Sequence, residues 1–266
     1  MKTWMVAAVI ALSAPVTALA ADMAVKAPAP VGYDWTGFYV GGHVGGGWQN
    51  TTFADPSAEP QLLNCCFFLN TFNGPTPATN ANGTGFLGGV QAGTMYQIGR
   101  LVVGADFDWS GTSLKGAGST QFVAGGFGGS TATESYTVNT KWTATATTTI
   151  GIARDRFMIY SKGGVAFENV SYGLGVVTNN PATFAANASD TIAGWTVGTG
   201  FKWAFTNDWF VNAEYNYMDF GSKAQNFNGN VNFNPGVSPV NFTPTFNQHI
   251  SEVKVGLNYK FGSGIW

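Results

Sequence analysis

The chain has 266 residues, of which 10% are charged, 45% hydrophobic and 15% aromatic, with 36 glycines and a formal net charge of −2. A water-facing domain ordinarily carries about 25% charged residues, so charge is too scarce for a conventional soluble surface, and the slightly acidic balance argues against nucleic acid as a partner. No stretch beyond the N-terminal region reaches the ~20 consecutive apolar residues of a membrane helix, which leaves a membrane-spanning β-sheet as the class that fits.

The first apolar run is N-terminal. Lys2 supplies a positive start, Met5 to Leu12 an apolar core, and Ala18-Leu19-Ala20 a small-x-small cleavage pattern. Residues 1–20 therefore read as a secretory signal peptide. Residues 21–34, with Pro28, Pro30 and several alanines, read as a flexible leader. Residues 35–266 form the remaining domain. In it, eight segments carry strand periodicity: Thr36–Trp48, Gly85–Gln97, Arg100–Ser110, Asn139–Ala153, Phe157–Tyr172, Thr191–Phe205, Trp209–Phe220 and Glu252–Phe261. The last is the clearest. Val253, Val255, Leu257, Tyr259 and Phe261 share one parity, and Glu252, Lys254, Gly256, Asn258 and Lys260 the other. Period two puts these sets on opposite faces. An open edge would leave a row of unpaired backbone groups, so this strand is expected to pair with the first and close a ring.

Connections alternate in length. Gln97 to Arg100, Ala153 to Arg156 and Phe205 to Asp208 are tight, whereas 49–84, 111–138, 173–190 and 221–247 are long and rich in Gly, Asn, Thr and Pro. The expected fold is all-β: an eight-stranded antiparallel up-and-down transmembrane β-barrel in an outer membrane, with short periplasmic turns and long extracellular loops. At ~3.3 Å per residue, a tilted strand running from Trp35 to Trp48 spans an apolar band of about 25 Å and reaches both interfaces. The expected aromatic girdle is Trp35, Trp48, Trp109, Trp142, Trp195, Trp203, Trp209, Tyr259 and Phe261.

Charge follows parity. Asp106, Asp108, Lys141, Lys162, Glu168, Lys202, Glu214, Glu252, Lys254 and Lys260 all fall on the inward parity of their strands, and Asp219 is outward near the rim. A lysine facing lipid at mid-depth costs roughly 2–4 kcal/mol. The expected interior charge layer is Asp106, Asp108, Lys162, Lys202, Glu214, Glu252 and Lys254. Eight strands enclose a space just wide enough for side chains to fill, and buried charges need partners, so this layer reads as a salt-bridge plug. The alternative is a selectivity ring in a narrow diffusion channel for small solutes or ions.

Nothing else in the pattern carries chemistry. His43 points inward and His249 outward, so they do not face each other, and the glycine-rich first strand lacks the strand-to-helix context of a phosphate loop. No catalytic residue, metal site or cofactor is expected. Cys65 and Cys66 are adjacent, closer than ordinary disulfide geometry allows; free thiols and an intermolecular bond both stay open. The apolar run Leu62 to Leu69, inside a segment expected to face water, reads as folded over the barrel mouth or dipping to the lipid rim, or as a docking patch for a host surface or another membrane protein.

Asp34-Trp35-Thr36-Gly37-Phe38-Tyr39-Val40-Gly41, Gly194-Trp195-Thr196-Val197-Gly198, Ala213-Glu214-Tyr215 and Val255-Gly256-Leu257-Asn258-Tyr259-Lys260-Phe261 resemble the small outer-membrane β-barrels of Gram-negative bacteria, the porin-family or outer-membrane surface-antigen proteins. The resemblance runs from about Asp34 to Phe261 in the strands and is absent from the loops. It implies an eight-stranded barrel in the cell outer membrane, lipid around it, an assembly machinery that reads the C-terminal aromatic at Phe261 or Trp266, and host or surface ligands met through 49–84, 111–138, 173–190 and 221–247. Such proteins carry inward Arg where Thr147 and Thr149 stand here, and an acid where Lys202 stands, so the interior charges are rewired. The expectation is a structural, surface-exposed and non-enzymatic barrel.

Overall fold

The computed structural model describes residues 32–54, 78–124, 130–178, 183–233 and 236–262. The expected signal peptide, most of the leader, Cys65, Cys66, the apolar run 62–69 and Trp266 lie outside the described residues. Among the described residues the strands are β1 (Gly37–Ala54), β2 (Thr79–Asn80), β3 (Gly83–Ile98), β4 (Leu101–Ala124), β5 (Ser130–Arg154), β6 (Phe157–Thr178), β7 (Thr183–Ala204), β8 (Trp209–Ala224), β9 (Phe227–Phe233), β10 (Gly236–Phe242) and β11 (Thr245–Phe261). Eight of them pair antiparallel in the cyclic order β1-β3-β4-β5-β6-β7-β8-β11. The ring closes between β1 and β11, in unbroken register from Phe38↔Phe261 to Ala54↔Thr245. Closure leaves the wall without a free edge, which is how a sheet satisfies its backbone in lipid.

Close approach between the closing strands demands glycine on β1. A Cβ on Gly45 would strike the Val253 carbonyl and sit 3.1 Å from the Lys254 side chain, and one on Gly41 would strike the Asn258 side chain and the Leu257 carbonyl. The two positions therefore make room for inward side chains of β11.

The tight turns fall where the spacing predicts them. Asp155, at the β5–β6 turn, is the non-glycine residue with positive φ among the described residues, 52°, a conformation Asp tolerates. Its backbone and side chain anchor the segment before β1. The Tyr33 amide donates to Asp155 Oδ1 (2.9 Å), and the Trp35 indole Nε1 donates to the Asp155 carbonyl (3.0 Å). Trp35 is 0% exposed and packs edge-on against Tyr33 and Phe210. The expectation that Trp35 belongs to the outer girdle is thus corrected. It lies before the first ladder residue, so strand parity does not govern it, and the Asp155 carbonyl offers its indole a partner within the barrel mouth.

The bounds of the four long connections are corrected where residues are described: the strands run on into them. Residues 111–124 and 130–138 are ladder, paired from Leu114↔Thr140 to Ala124↔Ser130. β6 and β7 remain paired to Val177↔Thr183, β1 runs on to Ala54, and most of 221–247 forms a β9–β10 hairpin whose first strand pairs with β7. The reason lies in polarity. In the half nearest the tight turns, outward positions such as Ile150, Ile152, Val255 and Leu257 are apolar and exposed, while inward ones toward mid-barrel, such as Thr145, Thr147, Lys254 and Asn258, are polar. In the other half the pattern inverts. Leu114, Tyr136, Val138, Val170, Tyr172 and Leu174 are buried within, and Ser113, Lys115, Ser135, Thr137, Asn169 and Ser171 face outward. Those ladders stand above the lipid, where water wets the outer face.

Register changes mark the switch. Between Gly111 and Leu114 on β4, and between Thr140 and Trp142 on β5, the ladder is bulged. Lys141 is the extra β5 residue and is exposed, correcting its expected inward placement. A bulge adds one residue and breaks strict alternation, so inward positions on β5 are odd below Lys141 (Thr143, Thr145, Thr147, Thr149) and even above it (Thr140, Val138, Tyr136).

Candidate functional site

The interior of the ring holds three levels. At the turn end, Trp35, Val102, Met158, Phe210 and their neighbours form an apolar floor. At the other end, Leu114, Tyr172, Phe220, Phe227, Phe246 and Ile250 lie in an apolar cap. Between them lie the charges.

Lys254, 1% exposed, is the hub. Its Nζ lies 2.7 Å from Asp108 Oδ1, 3.4 Å from Glu214 Oε1 and 3.6 Å from Glu252 Oε2. Lys162 reaches Glu214 Oε1 at 2.8 Å, and Glu214 also accepts from the Tyr160 hydroxyl (2.7 Å) and the Asn216 amide (2.9 Å). One ammonium among three carboxylates, with a second on Glu214, offsets much of the desolvation that each ion meets. A second lobe is built on Asp106. Lys202 Nζ lies 3.5 Å from Asp106 Oδ1, and the hydroxyls of Tyr39 and Thr149 donate to that carboxylate. Lys202 also sits over the rings of Tyr39 (4.6 Å) and Tyr160 (4.9 Å), so Tyr160 links the two lobes, giving its hydroxyl to one and its face to the other. Such contacts are stronger when water is excluded. All seven residues expected in the interior charge layer therefore stand inside the ring, in two connected groups.

Several interior residues were not singled out from the sequence as parts of this network. Gln91 donates to Asn212 (2.8 Å) and Asn258 (2.6 Å), and Asn258 donates to Asn212 (2.8 Å). His43 Nε2 pairs with Ser110 (2.8 Å), whose hydroxyl donates to Asp108 (3.3 Å). Glu168, 0% exposed, accepts from Gln248 (2.9 Å) and Thr140 (3.3 Å) and has no cation beside it among the described residues. Inward parity was the available signal for Gln91, Asn212, Asn258, His43, Ser110 and Glu168; Thr140, beyond the bulge at Lys141, carries the outward parity of its predicted strand, and Gln248 lies outside the predicted strands.

On the outer wall, Trp209, Tyr259 and Phe261 pack together near the turns (Trp209–Tyr259 centroids 5.1 Å, Tyr259–Phe261 4.9 Å), with Trp203 exposed beside Phe205. Toward the opposite end, Trp48, Trp109 and Trp195 are exposed and Trp142 half-buried; Trp195 lies 5.7 Å from Tyr217 and Trp48 6.5 Å from Tyr215. Two aromatic belts around an exposed apolar wall, enclosing a charged interior, define a membrane-spanning β-barrel. A family model described as "Outer membrane protein beta-barrel domain" matches residues 17–261, and the chain belongs to that family of the cell outer membrane. It is similar to the 31 kDa outer-membrane immunogenic protein of Brucella melitensis, 31% identical over 271 residues that cover 98% of this chain and 100% of the relative. Among solved structures it is similar to the outer membrane protease OmpT from Escherichia coli (8% identity, 86% of this chain and 98% of that one, TM-score 0.45) and to OprG from Pseudomonas aeruginosa (11% identity, 87% and 99%, TM-score 0.39).

Proposed function

We propose that this protein is a structural, surface-exposed barrel that neither conducts nor catalyses, and that its contacts are made at its outer wall and extracellular ends. The observation that carries this reading is the filled interior. The floor, the paired charges and the cap succeed one another along the axis with their side chains buried. An ion entering would have to displace Lys254 or Lys162 from carboxylates at 2.7–2.8 Å and then meet apolar side chains. The interior carboxylates are engaged by lysines, hydroxyls and amides rather than arranged around a space open to substrate. The ladders rising above the lipid supply a stiff extracellular surface, and the relative's name, an immunogenic protein, agrees with exposure of that surface. The exposed aromatic Phe261 on the closing strand is the feature through which the assembly machinery would engage the chain.

Recordings of the purified protein in planar bilayers at neutral pH test the reading. Flat traces are expected at voltages where an open eight-stranded pore would pass steady current. A reproducible open-state conductance would replace the plug with the narrow-channel reading.

A further inference from the structure

We propose that Lys115 and Lys141 form a docking site on the outer wall for the phosphate-bearing headgroup of an outer-leaflet lipid. Both side chains are exposed. They lie on neighbouring strands at nearly one level, because Lys115 pairs with Asn139, two residues from Lys141. Lys141 faces outward through the β5 bulge; without it, period two would carry this ammonium inside. A bulge that re-aims one side chain is a common device beside a functional surface.

The level matters as much as the charge. Below them stand Trp142, next to Lys141 on β5, and Trp109, past Ser113 and the register shift on β4, at the top of the apolar wall formed by Ile152, Ile150, Val103 and Phe107. Directly above, outward positions are polar on β5 (Asn139, Thr137, Ser135) and on β6, where Asn169 and Ser171 follow Phe167, while β4 carries Ala117 and then Ser119. The two ammonium groups thus sit where acyl chains give way to headgroups, on stems long enough to lie along the wall while the charge stays in the polar layer. Neither lysine has an ion-pair partner among the described residues. The exposed acid Asp190 stands two strands away on β7 and is held by the Gln225 amide (2.8 Å) and the Thr191 backbone N–H (2.7 Å). Two unneutralised cations at an interface complement an anion, and the lipid phosphate is the anion present at that depth.

The inference depends on the barrel's place in the membrane and not on whether its interior conducts. To test it, the protein extracted from outer membranes is titrated with diphosphorylated lipid A and with its dephosphorylated counterpart in mixed micelles, with binding read by native mass spectrometry. The phosphorylated form is expected to bind at least tenfold tighter. Lys115→Gln and Lys141→Gln should each weaken it roughly fivefold, and the double substitution about 25-fold, whereas Lys141→Arg should bind like the parent. Heat-dependent gel migration reports that each variant is folded; should the double variant fail to fold, Lys115→Gln, which leaves the bulge untouched, carries the test. Equal binding of both lipid forms, or unchanged binding by the glutamine variants, would overturn the site. Competition by inorganic phosphate at concentrations matching the lipid would show that free phosphate, not a headgroup, is the ligand, and would overturn the assignment to lipid.

Discussion

Lys254 and Glu168 show how differently two buried ionisable side chains are treated within one barrel. Lys254 stands among Asp108, Glu214 and Glu252, so removing it takes the lysine from Asp108 and Glu252 in a site closed to water and leaves Glu214 with Lys162 alone. Lys254→Ala should cost about 3–5 kcal/mol, the range for breaking a buried pair, read as a lower urea midpoint for unfolding from detergent or vesicles. Among the described residues Glu168 has Thr140 and Gln248 as its side-chain partners. Replacing its carboxyl with an amide keeps both contacts and removes a charge that nothing nearby balances. Glu168→Gln should therefore leave the midpoint unchanged or raise it, and a loss as large as that of Lys254→Ala would show that Glu168 is paired after all. Period two was enough to place both residues inside. Their partners were not legible, because Lys254 meets carboxylates from β4 and β8, and which strands face each other across a barrel depends on stagger as well as parity.

At the scale of elements, the lower half of each long strand could be read from the sequence and the upper half could not. Apolar side chains at Phe38, Phe107, Ile150 and Leu257 alternate with polar ones because one face meets lipid. Above the bulges the same strands alternate in the opposite sense, Ser135 and Thr137 outward, Tyr136 and Val138 inward, and their small polar residues resemble loop. Lys141 sits at the point of inversion, where a single inserted residue defeats any strict periodicity. Trp35 was misplaced because an aromatic residue at a strand's beginning suits either face. It belongs to a clamp over the turn end of the barrel, in which Tyr33 lies against the ammonium of Lys260 (4.3 Å to the ring centroid) and the guanidinium of Arg156 (5.5 Å). Burial pushes the Tyr33 phenol up to about 12 from its ordinary 10.0. The folded chain then keeps a proton that the unfolded chain releases, so the clamp's contribution is intact below pH 10 and declines as pH rises through about 12. Alkaline titration followed by tyrosinate absorbance should show a phenol ionising at about pH 12 that is missing from Tyr33→Phe.

For the molecule as a whole, the ring has two chemistries stacked along one axis, inverted in polarity below and conventional above. Both depend on a continuous perimeter. Deleting Leu257–Phe261 removes the partners of Phe38 to Gly42 on one side and of Trp209 to Val211 on the other. The truncated chain should lose the difference in gel migration between unheated and boiled samples, and retention of that difference would mean that another strand can complete the wall. The seam between β1 and β11 also has a temporal consequence. The earliest strand to leave the ribosome has as one of its two neighbours the latest, and the chain must cross an entire membrane before they meet. Until then the glycine-rich ladder of β1 is an unsatisfied template for any strand it encounters, and the cell must shelter it in transit or lose it to aggregation.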